Sequence, residues 1–104
     1  SAFIQSQENN FKISGKVNDL ETNTPLEYAT ISLIDSNNGN LINGVITDDK
    51  GYFAIESSRG LYDLKIEYIS FQTETIENLN VSSSKDLGII NLKINENISN
   101  YIFI

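Results

Sequence analysis

Four stretches of this chain alternate apolar and polar residues with a period of two, the spacing that turns one face of an extended strand to a core and the other to water. In FKISGKV, Phe11, Ile13 and Val17 share one parity, while Lys12, Ser14 and Lys16 take the other. YATISLI places Ala29, Ile31 and Leu33 on one face. In LYDLKIEY, Tyr62, Leu64, Ile66 and Tyr68 alternate with Asp63, Lys65 and Glu67, and in GIINLKI, Ile90, Leu92 and Ile94 are in phase. Weaker strands are predicted over Ile42–Thr47, Tyr52–Glu56 and Phe71–Glu77. In the last of these Phe71 and Ile76 differ in parity, which predicts a bulge or a turn of face.

No stretch carries a long helical spacing. Turn residues recur about every 8–12 positions, the rhythm of an all-β sandwich or barrel. Seven strands in about 85 residues predict two packed sheets. LETNTPLE, with the sole proline Pro25, reads as the loop before the second strand, and DSNNGN and NVSSSKD read as polar loops. The organisation expected is a leader over 1–10, a sandwich domain over 11–95, and a linker or extra edge strand over 96–104. The leader SAFIQSQENN, in a chain that starts at Ser1 and contains no Met, reads as the remnant of an export signal or of a tag.

Composition narrows the function more than it narrows the fold. At 104 residues with 39% hydrophobic content, the chain buries roughly two-thirds of its unfolded surface as one domain. The net charge of -7 disfavours nucleic acid and anionic lipid as partners, and no apolar run approaches the length of a membrane span. The chain has neither Cys nor His. Disulfides, thiolate metal sites, cysteine nucleophiles and a Ser-His-Asp triad are therefore excluded, along with the usual general base.

What remains is carboxylate chemistry, and the acids read better as turns. In TDDKGYF, Asp48 and Gly51 occupy the first and fourth positions of a type I turn, predicting a hairpin tip with Gly51 left-handed. Ser57-Ser58-Arg59-Gly60 repeats that spelling, so one explanation is expected to cover both glycines. A calcium loop needs carboxylates at alternate positions and a distal Glu; here Asp48 and Asp49 are adjacent and Lys50 follows. In DSNNGN, residues 35–40, Gly39 falls one place early for such a loop. No spacing marks a glycosidase-type carboxylate pair. Tyr28, Tyr52, Tyr62 and Tyr68 are candidates for a carbohydrate platform, with Tyr62 and Tyr68 better placed as core or rim. Asn80-Val81-Ser82 and Asn97-Ile98-Ser99 match the glycosylation sequon.

Taken together, ISGKVNDLETNTPLEYATISLID, GVITDDKGYFAI, GLYDLKIEYISFQT and LGIINLKI resemble the carboxypeptidase regulatory-like domain. Gly15, Val17, Asp19, Thr22, Pro25, Leu26, Ala29 and Thr30 carry the first part of the pattern, and Thr47, Asp48, Gly51 and Phe53 the second. Gly60, Tyr62, Leu64, Tyr68, Phe71 and Thr73 carry the rest. The resemblance implies an all-β, seven-stranded, mostly antiparallel Greek-key β-sandwich of the transthyretin-like (prealbumin-like) type. Its expected core is Phe11, Ile13, Val17, Ile31, Leu33, Phe53, Leu64, Ile66, Ile90 and Leu92.

PLEYATISL is especially similar to copies at the N-terminus of TonB-dependent outer-membrane receptors of Gram-negative bacteria. That implies a non-catalytic periplasmic accessory domain of a larger outer-membrane or secreted protein, with no cofactor, no metal and no membrane insertion of its own. Its expected partner is another protein or a neighbouring plug, barrel or peptidase domain. The alternatives are a carbohydrate-binding module and a regulatory domain attached to a zinc carboxypeptidase.

Overall fold

The computed structural model describes residues 10–96. Expectations for the leader and the tail fall largely on residues 1–9 and 97–104, outside the described residues. Among the described residues seven strands form: β1 (Phe11–Asp19), β2 (Thr30–Asp35), β3 (Leu41–Ile46), β4 (Tyr52–Ser57), β5 (Gly60–Glu67), β6 (Glu74–Val81) and β7 (Lys85–Leu92). They make a three-stranded sheet in the order β4-β1-β7 and a four-stranded sheet in the order β3-β2-β5-β6. Every neighbouring pair is antiparallel except β1 and β7, which run parallel. Only the β2–β3 and β5–β6 connections stay within a sheet, and the other four cross between layers. The architecture is the expected transthyretin-like Greek-key sandwich.

The period of two sets the core. Ile13 and Val17 of β1, Ile31 and Leu33 of β2, and Leu64 and Ile66 of β5 are all fully buried, with Leu92 of β7. Each such side chain contributes about 1.5–3 kcal/mol of burial. Phe53 and Ile90 join them as expected, and the core also takes Leu26, Ala29, Ile55, Tyr62 and Val81. Phe11 is only half-buried: it opens β1, and the Arg59 guanidinium lies 5.6 Å from its ring centroid.

The region after β5 departs from the sequence expectation. Ser70 adopts a left-handed φ of 68°, and Phe71 makes an isolated bridge with Ile94 instead of opening a strand. β6 therefore begins at Glu74. Its bulge comes later: Glu77 and Asn78 together oppose Asp63, and Asn78 takes the left-handed conformation.

Three of the four sheet edges are interrupted. The β2–β3 register shifts between Leu33 and Ile34, the β5–β6 register at Asp63, and the β1–β7 register between Ser14 and Lys16. β4 keeps an unbroken register, but side chains occupy its outer rim. Asp48 Oδ1 accepts the Tyr52 N–H at 2.9 Å, and Asn43 Nδ2 donates to the Glu56 carbonyl at 3.2 Å. Interrupted and capped edges resist pairing with a further strand.

Candidate functional site

The acidic stretch that raised the question of chemistry is a structural corner. Asp48 and Gly51 close a turn, with the Gly51 N–H donating to the Asp48 carbonyl at 3.0 Å and Gly51 at φ +81°. The Asp48 carboxylate accepts both the Lys50 and the Tyr52 N–H at 2.9 Å. The turn is as expected, but it is not the tip of a hairpin within a sheet: β3 and β4 belong to different layers, and the turn carries the chain between them. Asp49 makes no side-chain hydrogen bond or ion pair and is exposed.

Thr47 locks the same corner. It is almost fully buried; its Oγ1 donates to the Leu26 carbonyl at 2.6 Å and accepts the Ala29 N–H at 2.8 Å. The Leu26 N–H in turn donates to the Val17 carbonyl at 3.0 Å, and the Val17 N–H to the Gly51 carbonyl at 2.8 Å. Asp19 Oδ1 turns the following loop by accepting the Glu21 N–H at 2.9 Å. Val17, Leu26, Thr47, Asp48 and Gly51 thus converge on one interlayer corner, where their polar atoms are engaged with backbone.

The second glycine has a different reason from the first, which corrects the shared explanation. Gly60 opens β5 without a left-handed φ. A Cβ there would lie 3.0 Å from the Tyr62 hydroxyl, so glycine makes room for that ring. Tyr62 is buried, and its hydroxyl donates to the Ser58 carbonyl at 2.9 Å. Residues 35–40 form an ordered β2–β3 connection. Asp35 Oδ1 accepts the Asn37 N–H at 2.8 Å, and Asn38 Oδ1 the Asn40 N–H at 2.9 Å.

Among the described residues no three acids converge as a cation site would need. The tyrosines separate: Tyr62 is core, and Tyr68 meets Phe71 edge-to-face with ring centroids 5.5 Å apart. Tyr28 and Tyr52 are 67% and 51% exposed. Asn80 lies exposed in β6, and Asn97 falls outside the described residues.

Two concave surfaces remain. An open cleft of about 600 Å³ lies among Glu27, Tyr28, Thr30, Glu67, Tyr68 and Ile69. The other is a groove on the outer face of the three-stranded sheet, made of two depressions of about 420 and 390 Å³ that share Ser14 and Asp86. Here the parallel β1–β7 pairing sets Lys85 opposite Ile13, so that Lys85 and Lys12 line one depression while Lys16 lines the other. The Lys16 ammonium sits 5.3 Å from the Tyr52 ring centroid. Sequence reasoning did not single out this face. The shared parity of Lys12 and Lys16 is visible in the chain, but the arrival of Lys85 depends on tertiary register.

The model of the carboxypeptidase regulatory-like domain matches residues 12–94, and no curated protein sequence matches the chain. Among solved structures, a chain of the type II cohesin–X-dockerin complex of Acetivibrio cellulolyticus is similar at 24% identity and a TM-score of 0.64, over 81% of this chain and 58% of that one. The TIE protein of Bacillus anthracis is similar at 18% identity and a TM-score of 0.61, over 83% of this chain and 17% of that one. The 5-hydroxyisourate hydrolase of Klebsiella pneumoniae shares 21% identity and a TM-score of 0.60, over 78% of this chain and 90% of that one. At these identities the likeness is one of fold. This chain spans little more than half of the first protein and about a sixth of the second.

Proposed function

The chain belongs to the carboxypeptidase regulatory-like domain family, and from that premise we propose that it is a non-catalytic accessory domain serving protein–protein contact or spacing within a larger protein. The observation that carries this reading is the use made of the family's motif residues. Thr47, Asp48, Gly51 and Leu26 spend their polar groups and backbone on one corner. None is left poised toward a substrate. The interrupted edges direct contact to faces and loops rather than to strand addition.

The parent protein in this reading is periplasmic and associated with the outer membrane, in the manner of TonB-dependent receptors, or else secreted. Its support is the wording PLEYATISL. Crosslinking and pull-down against periplasmic and outer-membrane proteins test the contact role, and recovery of no partner removes it. The sequence of the full-length gene tests the setting: a plug and barrel fit the receptor reading, while a zinc-peptidase domain replaces it.

One observation favours a second reading. Exposed Tyr28 shares a cleft with Tyr68 and two glutamates, the kind of mixed aromatic and polar lining that suits a sugar. A flat glycan array removes it.

A further inference from the structure

We propose that the groove on the outer face of the β4-β1-β7 sheet docks an extended acidic peptide segment of a protein partner, with one apolar side chain of that segment seated over Gly88 between Tyr52 and Ile89. The proposal rests on the contact role above and names its chemistry.

The chain carries 14 acidic and 7 basic residues, yet three lysines gather along this groove. The ion pair among the described residues, Lys65–Glu67, lies on the other sheet. Lys12, Lys16 and Lys85 therefore line the groove with no ion pair among the described residues. Two acids face them, and neither forms an ion pair with them. Asp86 directs Oδ1 to the Gly88 N–H at 2.9 Å, and Glu56 lies across the strand pair from Lys12. A local excess of cations attracts an anionic segment, while whole copies of the chain, each with a net charge of -7, repel one another.

Lys12 and Lys16 point from one face of β1, four residues and about 13 Å apart. An extended segment presents alternate side chains on one face at the same repeat, so acids at every second position meet both lysines. Gly88 sits in the β7 bulge at φ +73°, and a Cβ built there would meet nothing within 4 Å. Above it the groove is open, with Ile89 59% exposed on one side and Tyr52 on the other. Open space over glycine between two apolar side chains is a seat for one apolar group.

The test is a titration of the isotope-labelled chain, followed by NMR, with a short peptide of alternating glutamate and serine carrying a central phenylalanine. The expected result is amide shifts confined to the groove, at Ser14, Lys16, Gly88 and Ile89, that weaken as salt is raised. Lys12→Glu with Lys16→Glu should leave the melting temperature within about 3 °C, lower affinity about tenfold or more, and shift preference to a lysine-for-glutamate peptide. Ile89→Ser should weaken the phenylalanine peptide and leave a phenylalanine-free one unchanged.

The proposal is overturned by an absence of groove shifts, by shifts centred on the Tyr28 cleft, or by equal binding of acidic and basic peptides. Groove shifts with a sulfated oligosaccharide but not with the peptide also overturn it, as does self-association that fills the groove without peptide. A crosslinked partner retained by the double lysine variant removes the groove and leaves the contact role standing. No partner for the native chain removes the contact role, while the titration still decides the groove.

Discussion

Replacing Gly51 with alanine should cost far more stability than the same change at Gly39, although both glycines are left-handed. Gly51 sits at φ +81° and Gly39 at φ +77°, so each substitution pays a conformational penalty of about 1–2 kcal/mol. At Gly39 a Cβ meets nothing within 4 Å, and that penalty is the whole effect. At Gly51 the Cβ would lie 2.6 Å from the Val17 carbonyl oxygen and 3.1 Å from Pro25 Cβ. The Val17 carbonyl is backbone of a central strand and accepts the Leu26 N–H. It cannot yield without weakening that bond, which is worth about 1 kcal/mol net, and straining the corner around it. Gly51→Ala should therefore destabilise by about 3 kcal/mol, a large share of the total for a domain of this size. In a thermal melt this corresponds to a fall of about 12–24 °C, and in urea to a lower midpoint at unchanged slope. Losses at the two glycines that agree within about 0.5 kcal/mol would refute the clash argument.

Three further outcomes follow from the same geometry. Thr47→Val keeps the shape but leaves the Ala29 N–H and the Leu26 carbonyl without their partner, and should cost about 2–3 kcal/mol in chemical denaturation. Asp48→Ala removes the acceptor of two backbone N–H groups and should cost about 1–2 kcal/mol, whereas Asp49→Ala should stay within about 0.5 kcal/mol with or without calcium; melts of both variants, with chelator and with calcium, check the contrast. The Asn78 N–H, and after it the Ser36 hydroxyl, hold the Asp63 carboxyl below the ordinary aspartate value. Its stabilisation is therefore complete above the unfolded value of about 3.9 and is lost as pH falls through the lower folded value. Asp63→Asn should narrow its deficit against the native chain as melts are taken into acid, and a deficit independent of pH would contradict the assignment.

Most of the fold was legible because a half-buried strand writes itself as alternation. Ile13 and Val17, Ile31 and Leu33, and Leu64 and Ile66 are the parity-matched residues that the structure buries. Legibility failed where backbone conformation or tertiary approach decided the outcome. The parity mismatch of Phe71 and Ile76 announces an irregularity, but not that Ser70 and Asn78 are the residues that turn left-handed, delaying and then interrupting β6. Gly51 and Gly60 end similar tetrapeptides, yet one is required by its φ and the Val17 carbonyl and the other by the Tyr62 ring. The absence of a histidine or thiol was plain in the chain. The lysine groove was not, since its third lysine arrives through a parallel pairing of residues more than seventy positions apart.

That pairing also has a mechanical meaning. Among the described residues β1 and β7 are the first and last strands; they lie side by side in the middle and at the edge of one sheet, and they run in the same direction. Tension applied between the two ends of the domain pulls β1 toward its start and β7 toward its finish. The strands are then dragged past each other along their length. Their hydrogen bonds are loaded together in shear, instead of parting one rung at a time as they do when a hairpin is unzipped. A domain threaded between two anchored neighbours in this way bears load through its own terminal strands.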